Sequence, residues 1–199
     1  MAVALDADAQ NKPIDSGAVL LEQVPGIARY PNFLRRFLVF ALQWLICEDR
    51  INAFLSEHAL ARDFDFVDQV FQHLQTDCTV RHSDLENIPT HGRVIIVANH
   101  PLGGLDGLAL LRLVSRVRRD VRILVNELLL NITQLNNVSL PVDALGGETR
   151  KADISRIRDA LNNDEAVIIF PSGEVSRAGP KGIRDRKWLP GFIQLAKTT

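Results

Sequence analysis

Apolar positions along the chain fall into three kinds of run. The first is PNFLRRFLVFALQWLIC, residues 31 to 47, where only Arg36 and Gln43, one heptad apart with Arg35 beside them, interrupt a nearly continuous apolar circumference. Such a helix requires burial almost all round. It is shorter than the roughly 20 apolar residues that cross a bilayer, so two placements stay open: a core helix, or one lying in a membrane interface beside its arginines. From Ile51 to Leu74 the pattern is helical but more polar, with an acidic edge at Asp63, Asp65 and Asp68, and TDCTV at 76 to 80 predicts a short strand.

The second kind is the short solid apolar run. RVIIVA, VRILVN and EAVIIF read as buried strands, and NVSLPVDALGG as a strand or extended loop. Between them lie helical patterns: Gly107 to Arg119, with Arg112, Arg116 and Arg119 on one face, and residues 150 to 162, with Ile154, Ile157 and Leu161 facing inward. Asp84 to Gly92 reads as a connecting loop. This alternation predicts an α/β fold with a largely parallel sheet flanked by helices, preceded by an N-terminal helical region, and in such sheets ligands bind outside the carboxyl ends of the strands. The expected division is a flexible tail over residues 1–30, a helical region over 31–75 and the α/β domain over 76–199.

Composition narrows the class without changing this picture. A chain of 199 residues, 46% hydrophobic and 24% charged, accommodates one domain of about 150 residues with an appendage. The net charge of -1 argues against a general nucleic-acid binder. Asp6 and Asp8 stand where a secretory signal needs positive charge, and Cys47 and Cys78 have neither metal-type spacing nor a disulfide framework, so a cytoplasmic, reducing setting is expected. His73, His82, His91 and His100 recur every nine residues, but no carboxylate keeps step with them and no metal is expected.

Two loops carry the chemistry. NHPLGGLDG follows the strand ending at Ala98, and FPSGEVSR begins at the end of the strand before Pro171, so both leave carboxyl ends and can share one cleft. The first offers His100, suited to taking a proton near neutral pH, and Asp106, which can fix its tautomer and stabilise its charged form. The second offers Gly173, Glu174 and the hydroxyls of Ser172 and Ser176. Ordinary turn chemistry is the alternative: Asp106 stands at the start of a helix and can be a cap, and Gly103, Gly104 and Pro171-Ser-Gly are common turn residues. Beyond the second loop Arg177, Lys181, Arg184, Arg186 and Lys187 set five positive charges against Asp185, which makes either a solvated loop or a surface for anions.

Asn99-His100 followed by an aspartate, with FPSGEVS some seventy residues later, resembles the glycerolipid and lysophospholipid acyltransferase superfamily. NHPLGGLDG and FPSGEVSR are more similar still to its bacterial hemolysin-like branch, which includes the O-acyltransferases of ornithine-lipid synthesis. The resemblance runs from about residue 30 to the end and includes DLENIP. It implies a lipid-biosynthetic transferase that moves a fatty acyl group from an acyl-ACP or acyl-CoA thioester, its co-substrate, to a hydroxyl of a lyso-lipid, either a lyso-ornithine lipid or a lysophospholipid. His100 and Asp106 would be catalytic, no cofactor would be bound, and Asn99, Gly103, Gly104, Pro171, Ser172, Gly173, Glu174, Ser176 and Arg177 would surround the substrate. Lys181, Arg184, Arg186 and Lys187 would meet a carrier protein or the anionic inner face of the cell membrane. A lipid-binding domain without turnover, or a thioester hydrolase, are the rival expectations. Three departures stand out. Five residues separate His100 from Asp106 where most members have four, an extra residue that Gly103 and Gly104 can absorb. Ser172 takes the usual glutamate position, and the arginine motif common between the two loops has no counterpart around Asn126 to Val142. The chain stops at LAKTT, where the family supplies a further strand, so a truncated product is expected.

Overall fold

A computed structural model describes residues 13, 15, 31–45, 47–142, 151–180 and 182–199. The tail expected over 1–30 lies outside them apart from residues 13 and 15, as does Lys181. The chain divides into two compact units, the first comprising residues up to Ala61 together with Asn131–Gln134, the second Arg62–Leu130 and Leu135–Thr199.

In the first unit, α1 (Asn32–Leu45) and α2 (Glu48–Glu57) pack together around a sharp turn at Cys47, whose backbone is left-handed (φ 54°). α1 leaves Phe33, Phe37 and Phe40 exposed on one face, with Arg36 among them. The side that faces outward is therefore the apolar one. The helical pattern that runs on from Ile51 breaks after Glu57, where the His58 backbone leaves helical geometry (φ -105°, ψ 28°) and its ring Nδ1 lies 2.9 Å from the Phe54 carbonyl oxygen. No helix among the described residues is long and apolar enough to cross a membrane.

The second unit is built on a four-stranded parallel sheet. Its strands are β1 (Val94–Val97), β2 (Val121–Asn126), β3 (Ser139–Val142) and β4 (Ala166–Ile169), in the order β1-β4-β2-β3. Two crossover helices, α5 (Gly104–Val114) and α6 (Lys151–Asn162), carry the chain past β4 and back into it, so β4 arrives last between strands already made. Its side chains alternate between two cores. Ala166 and Ile168 join Leu111 and Val114 of α5 and Phe64, Val67 and Phe71 of α3 (Asp63–His73). Val167 and Ile169 join Ile157 and Leu161 of α6 and Leu195 of α7 (Gly191–Thr198). Covered on both faces, β4 is buried throughout, which is why EAVIIF carries no polar alternation.

Local differences from the sequence pattern have physical causes. Residues 76–80 form no strand: Asp77 is drawn to Arg112 and Arg116 and caps its neighbour's amide, so the segment is tied by side chains rather than by a ladder. A helical turn, α4 (His82–Leu85), opens what reads as a plain loop. α5 starts three residues before the expected Gly107 and stops at Val114, not Arg119. Beyond its end Arg118 turns inward.

That arginine ties the amino-terminal edge of the sheet. Its side chain is 1% exposed, forms a two-point pair with Asp120 at 2.7 and 2.8 Å, and donates to the carbonyls of Pro89, Gly92 and Asp164 at 2.7 to 3.1 Å. Those carbonyls precede β1 and β4, and Asp120 precedes β2. The Arg118 hydrogen bond holds the Asp120 carboxyl below its ordinary value against the opposing effect of burial. Replacing Arg118 by Met should cost about 2–4 kcal/mol in urea unfolding, because it strands the three carbonyls. Arg118→Lys should recover less than half, since an ammonium cannot reproduce the fork. A depressed carboxyl contributes stability above its unfolded value and loses it as pH falls, so the gap between wild type and Arg118→Met should narrow in acid. A loss under about 1 kcal/mol for Arg118→Met would overturn this role.

Candidate functional site

The opposite, carboxyl-terminal edge of the sheet carries the two loops. β1 pairs with β4 in the register Val97↔Ile169, and the Ala98 amide extends the ladder to the Ile169 carbonyl at 3.3 Å. The residues that follow the two strands therefore leave side by side. His100 and Phe170 stack with ring centroids 3.9 Å apart and planes 19° from parallel. The phenylalanine forms an apolar floor that fixes one face of the imidazole.

His100 Nδ1 lies 3.2 Å from Asp106 Oδ2, both side chains being largely buried. The contact is off the line of an N–H···O hydrogen bond, and Nδ1 has no hydrogen-bond partner among the described residues. The same Oδ2 accepts the Leu102 amide at 2.7 Å. Asp106 thus does both things its position allows: it sits in the first turn of α5, holding the loop amide that precedes the helix, and it presents a carboxylate to the imidazole. Gly103 makes the geometry possible. Its φ of 67° and ψ of -134° are open to glycine alone, and this one residue turns the loop back so that Asp106 meets His100. Gly104 opens α5; the Asp106 amide bonds back to the Gly103 carbonyl at 3.0 Å, so the first-turn amides outside the helical ladder are those of Gly104 and Leu105. Gly107 lets the helix approach the sheet, since a Cβ there would stand 3.0 Å from Ile123 Cδ1.

The second loop is mostly internal framework. Pro171 and Ser172 are buried, the Pro171 carbonyl accepts the Leu189 amide at 2.9 Å, and Ser172 Oγ donates to the Glu174 carbonyl at 2.7 Å. Gly173, left-handed at φ 68°, donates its amide to Phe170 at 3.0 Å. Glu174 holds Arg177 at 2.9 Å and Arg186 at 3.4 Å, so two of the expected anion-binding cations already have an acidic partner. Arg177 belongs to a two-stranded hairpin, β5 (Arg177–Gly179) and β6 (Gly182–Arg184), that the sequence pattern does not announce. Arg184, the last residue of β6, and Lys187 beyond it are exposed, and Asn99 is exposed beside His100.

Sequence reasoning passes over the residue that joins the two loops. Asp185 Oδ1 accepts the His100 amide at 3.2 Å and the Ser176 hydroxyl, and its Oδ2 accepts Trp188 Nε1 at 2.8 Å. The Ser176 amide in turn donates to the His100 carbonyl at 2.8 Å. Burial opposes the Asp185 charge, but the hydrogen bonds from Ser176, Trp188 and His100, with the charge of the imidazole, outweigh it and hold the carboxyl below its ordinary value. The available signal was a lone acid amid five basic residues. Among the described residues no group of three or more His, Cys, Asp or Glu side chains is placed to hold a metal ion.

An acyltransferase family model matches residues 18–199. The chain is 33% identical over 164 residues to a lyso-glycine lipid O-acyltransferase of Phocaeicola vulgatus, covering 81% of this chain and 57% of that protein. It is 33% identical over 182 residues to a lyso-glycine lipid O-acyltransferase of Bacteroides thetaiotaomicron, covering 90% of this chain and 64% of that one. The chain thus spans less than two thirds of the length of these relatives. No solved structure matches it.

The loop geometry sets opposite expectations for adjacent glycines. Gly103→Ala should destabilise by about 1–3 kcal/mol, because no L side chain adopts that backbone without strain. Gly104→Ala, in open space within a helix, should be neutral or stabilising by up to about 1 kcal/mol. Thermal unfolding of the two variants checks this; equal shifts would contradict the assigned backbone.

Proposed function

The chain belongs to the acyltransferase family, and on that premise we propose that it is an O-acyltransferase moving a fatty acyl group from a thioester to the hydroxyl of a lyso-lipid with a small amino-acid head group. The observation that carries this reading is the His100–Asp106 contact at the carboxyl edge of the sheet. With Nδ1 against the carboxylate, Nε2 is the nitrogen on the far edge of the ring. There it serves as general base: it takes the acceptor hydroxyl proton as the oxygen attacks the thioester carbonyl, and it returns that proton to the departing thiolate. Asp106 favours the imidazolium between those two steps. The Gly104 and Leu105 amides at the start of α5 are the candidate donors for the tetrahedral oxyanion, since the Gly173 and Asp106 amides are already used.

The same reading makes the donor an acyl-ACP or acyl-CoA and the setting the cytoplasmic membrane surface. In the first unit, Phe33, Phe37 and Phe40 form an exposed apolar stripe of the kind that enters an interface. In the second, Arg184 and Lys187 stand beside the exposed Ile183, Trp188 and Leu189, a mixture suited to anionic lipid headgroups. Asn99, exposed beside His100, is the polar side chain available to orient the acceptor.

Purified protein supplied with lyso-glycine lipid and either palmitoyl-ACP or palmitoyl-CoA should yield the diacylated lipid. His100→Ala should lower kcat by about 10³-fold or more without loss of fold, and Asp106→Asn by about 10²-fold or more. Near-normal transfer by His100→Ala would end this mechanism, and free fatty acid as the sole product would mark a hydrolase. Charge at the hairpin is tested separately. Arg184→Gln with Lys187→Gln should weaken binding to anionic vesicles several-fold at low salt and flatten its salt dependence, with kcat on soluble thioester little changed. Unaltered vesicle binding would return these residues to a solvated loop.

A further inference from the structure

We propose that Asp185 is a positioning residue for the transfer reaction, clamping the main chain of His100 to the second loop and so fixing where the imidazole stands. The proposal rests on the reading of His100 as the base. Its ground is a closed ring of contacts. The His100 amide donates to Asp185 Oδ1, the Ser176 hydroxyl donates to the same oxygen, and the Ser176 amide donates to the His100 carbonyl. Both main-chain polar groups of His100 are thereby held by residues more than seventy positions along the chain. The other carboxylate oxygen is held by Trp188 Nε1, whose ring meets Phe192 of α7 edge-on with centroids 6.2 Å apart, so the clamp is anchored to a helix that packs on the sheet.

The partners of Asp185 distinguish it from an ordinary surface acid. Arginines flank it on both sides, yet Arg186 pairs with Glu174, and the Asp185 carboxylate receives neutral N–H and O–H donors. A carboxylate holding neutral donors makes charge-assisted hydrogen bonds, shorter and stronger than those of a neutral acceptor. Phe170 restrains the face of the imidazole and Asp106 its Nδ1 edge, but neither holds the backbone from which the ring projects. Asp185 and Ser176 do. Because a displacement of about 1 Å at a reacting group costs on the order of 10²-fold in rate, loss of the clamp should appear in kcat rather than in substrate binding.

The test uses the whole chain, with lyso-glycine lipid and palmitoyl-ACP or palmitoyl-CoA as substrates, and follows backbone amide exchange by NMR beside the kinetics. Asp185→Ala should lower kcat by about 30- to 100-fold with KM for both substrates within about threefold, and should speed exchange of the His100 amide at least tenfold while amides of β4 keep their protection. Ser176→Ala should lower kcat by about 3- to 10-fold, and the double variant should be no worse than Asp185→Ala alone, since both act through one carboxylate oxygen. Should Asp185→Ala fail to fold, Asp185→Asn decides: it keeps one acceptor oxygen and turns a donor against one of the three partners, so kcat should fall by about tenfold at unchanged KM. Wild-type kcat in the Asp185 variants, multiplicative losses in the double variant, or an unchanged His100 amide would each overturn the assignment. If His100→Ala is inactive while the Asp185 variants are fully active, the clamp alone is wrong. If His100→Ala is active, the base is wrong, and the exchange measurement still decides whether the clamp exists.

Discussion

The pairing of β1 with β4 is the contact on which the rest depends. These strands are far apart in sequence, and they become neighbours only because α5 carries the chain past the vacant central position and α6 brings it back. Once Val97 stands opposite Ile169, the next residues of both strands leave the sheet together, and an imidazole meets a phenyl ring at 3.9 Å. The register is enforced by burial. A slip of one residue would turn Ala166 and Ile168 toward the face now filled by Val167 and Ile169, disrupting two cores at once.

The two edges of the sheet are finished by charges of opposite sign, a buried Arg118 and a part-buried Asp185, each doing what its chemistry suits. At the amino-terminal edge the exposed groups are carbonyl oxygens, and Arg118, with five donors in a rigid fork, gathers three of them with Asp120. At the carboxyl-terminal edge Asp185, which only accepts, gathers an amide, a hydroxyl and an indole N–H. The buried Arg118 is tolerated because all five of its donors are used, and the part-buried Asp185 because both of its oxygens are hydrogen-bonded. Stability is concentrated at the first edge and chemistry at the second. This separation leaves the loops after β1 and β4 free to hold groups chosen for reactivity rather than for packing.

Periodic features were legible in the residues, and compensated ones were not. The strands β1, β2 and β4 and the helix α6 fall where their apolar patterns place them, because each must bury a face and the pattern records which. TDCTV has strand-like composition, but the arginines of α5 and the turn beyond it take Asp77, a tertiary pull that no local pattern contains. The first helix shows the limit from the other side. Its nearly continuous apolar surface left both burial and interfacial placement open, and only the tertiary structure shows Phe33, Phe37 and Phe40 facing outward.

Sequence by itself determined the α/β class, the parallel sheet and the two loops at strand ends, and it offered a histidine and an aspartate across a glycine-containing turn as a candidate pair, since these follow from period, residue type and spacing. It also left Asp106 between cap and partner of the imidazole; in the structure Gly103 holds the N-cap position, while one Asp106 carboxylate oxygen accepts the Leu102 amide and stands 3.2 Å from His100 Nδ1. Only the tertiary structure decided that Pro171, Ser172 and Ser176 are bound inward, that Glu174 already holds Arg177 and Arg186, and that Asp185 grips the backbone of His100. The physical reason is range. Hydrophobic period is a local property written into consecutive residues, whereas a hydrogen bond between residues 100 and 185 depends on how two strand ends are brought together, which no segment of the chain records alone.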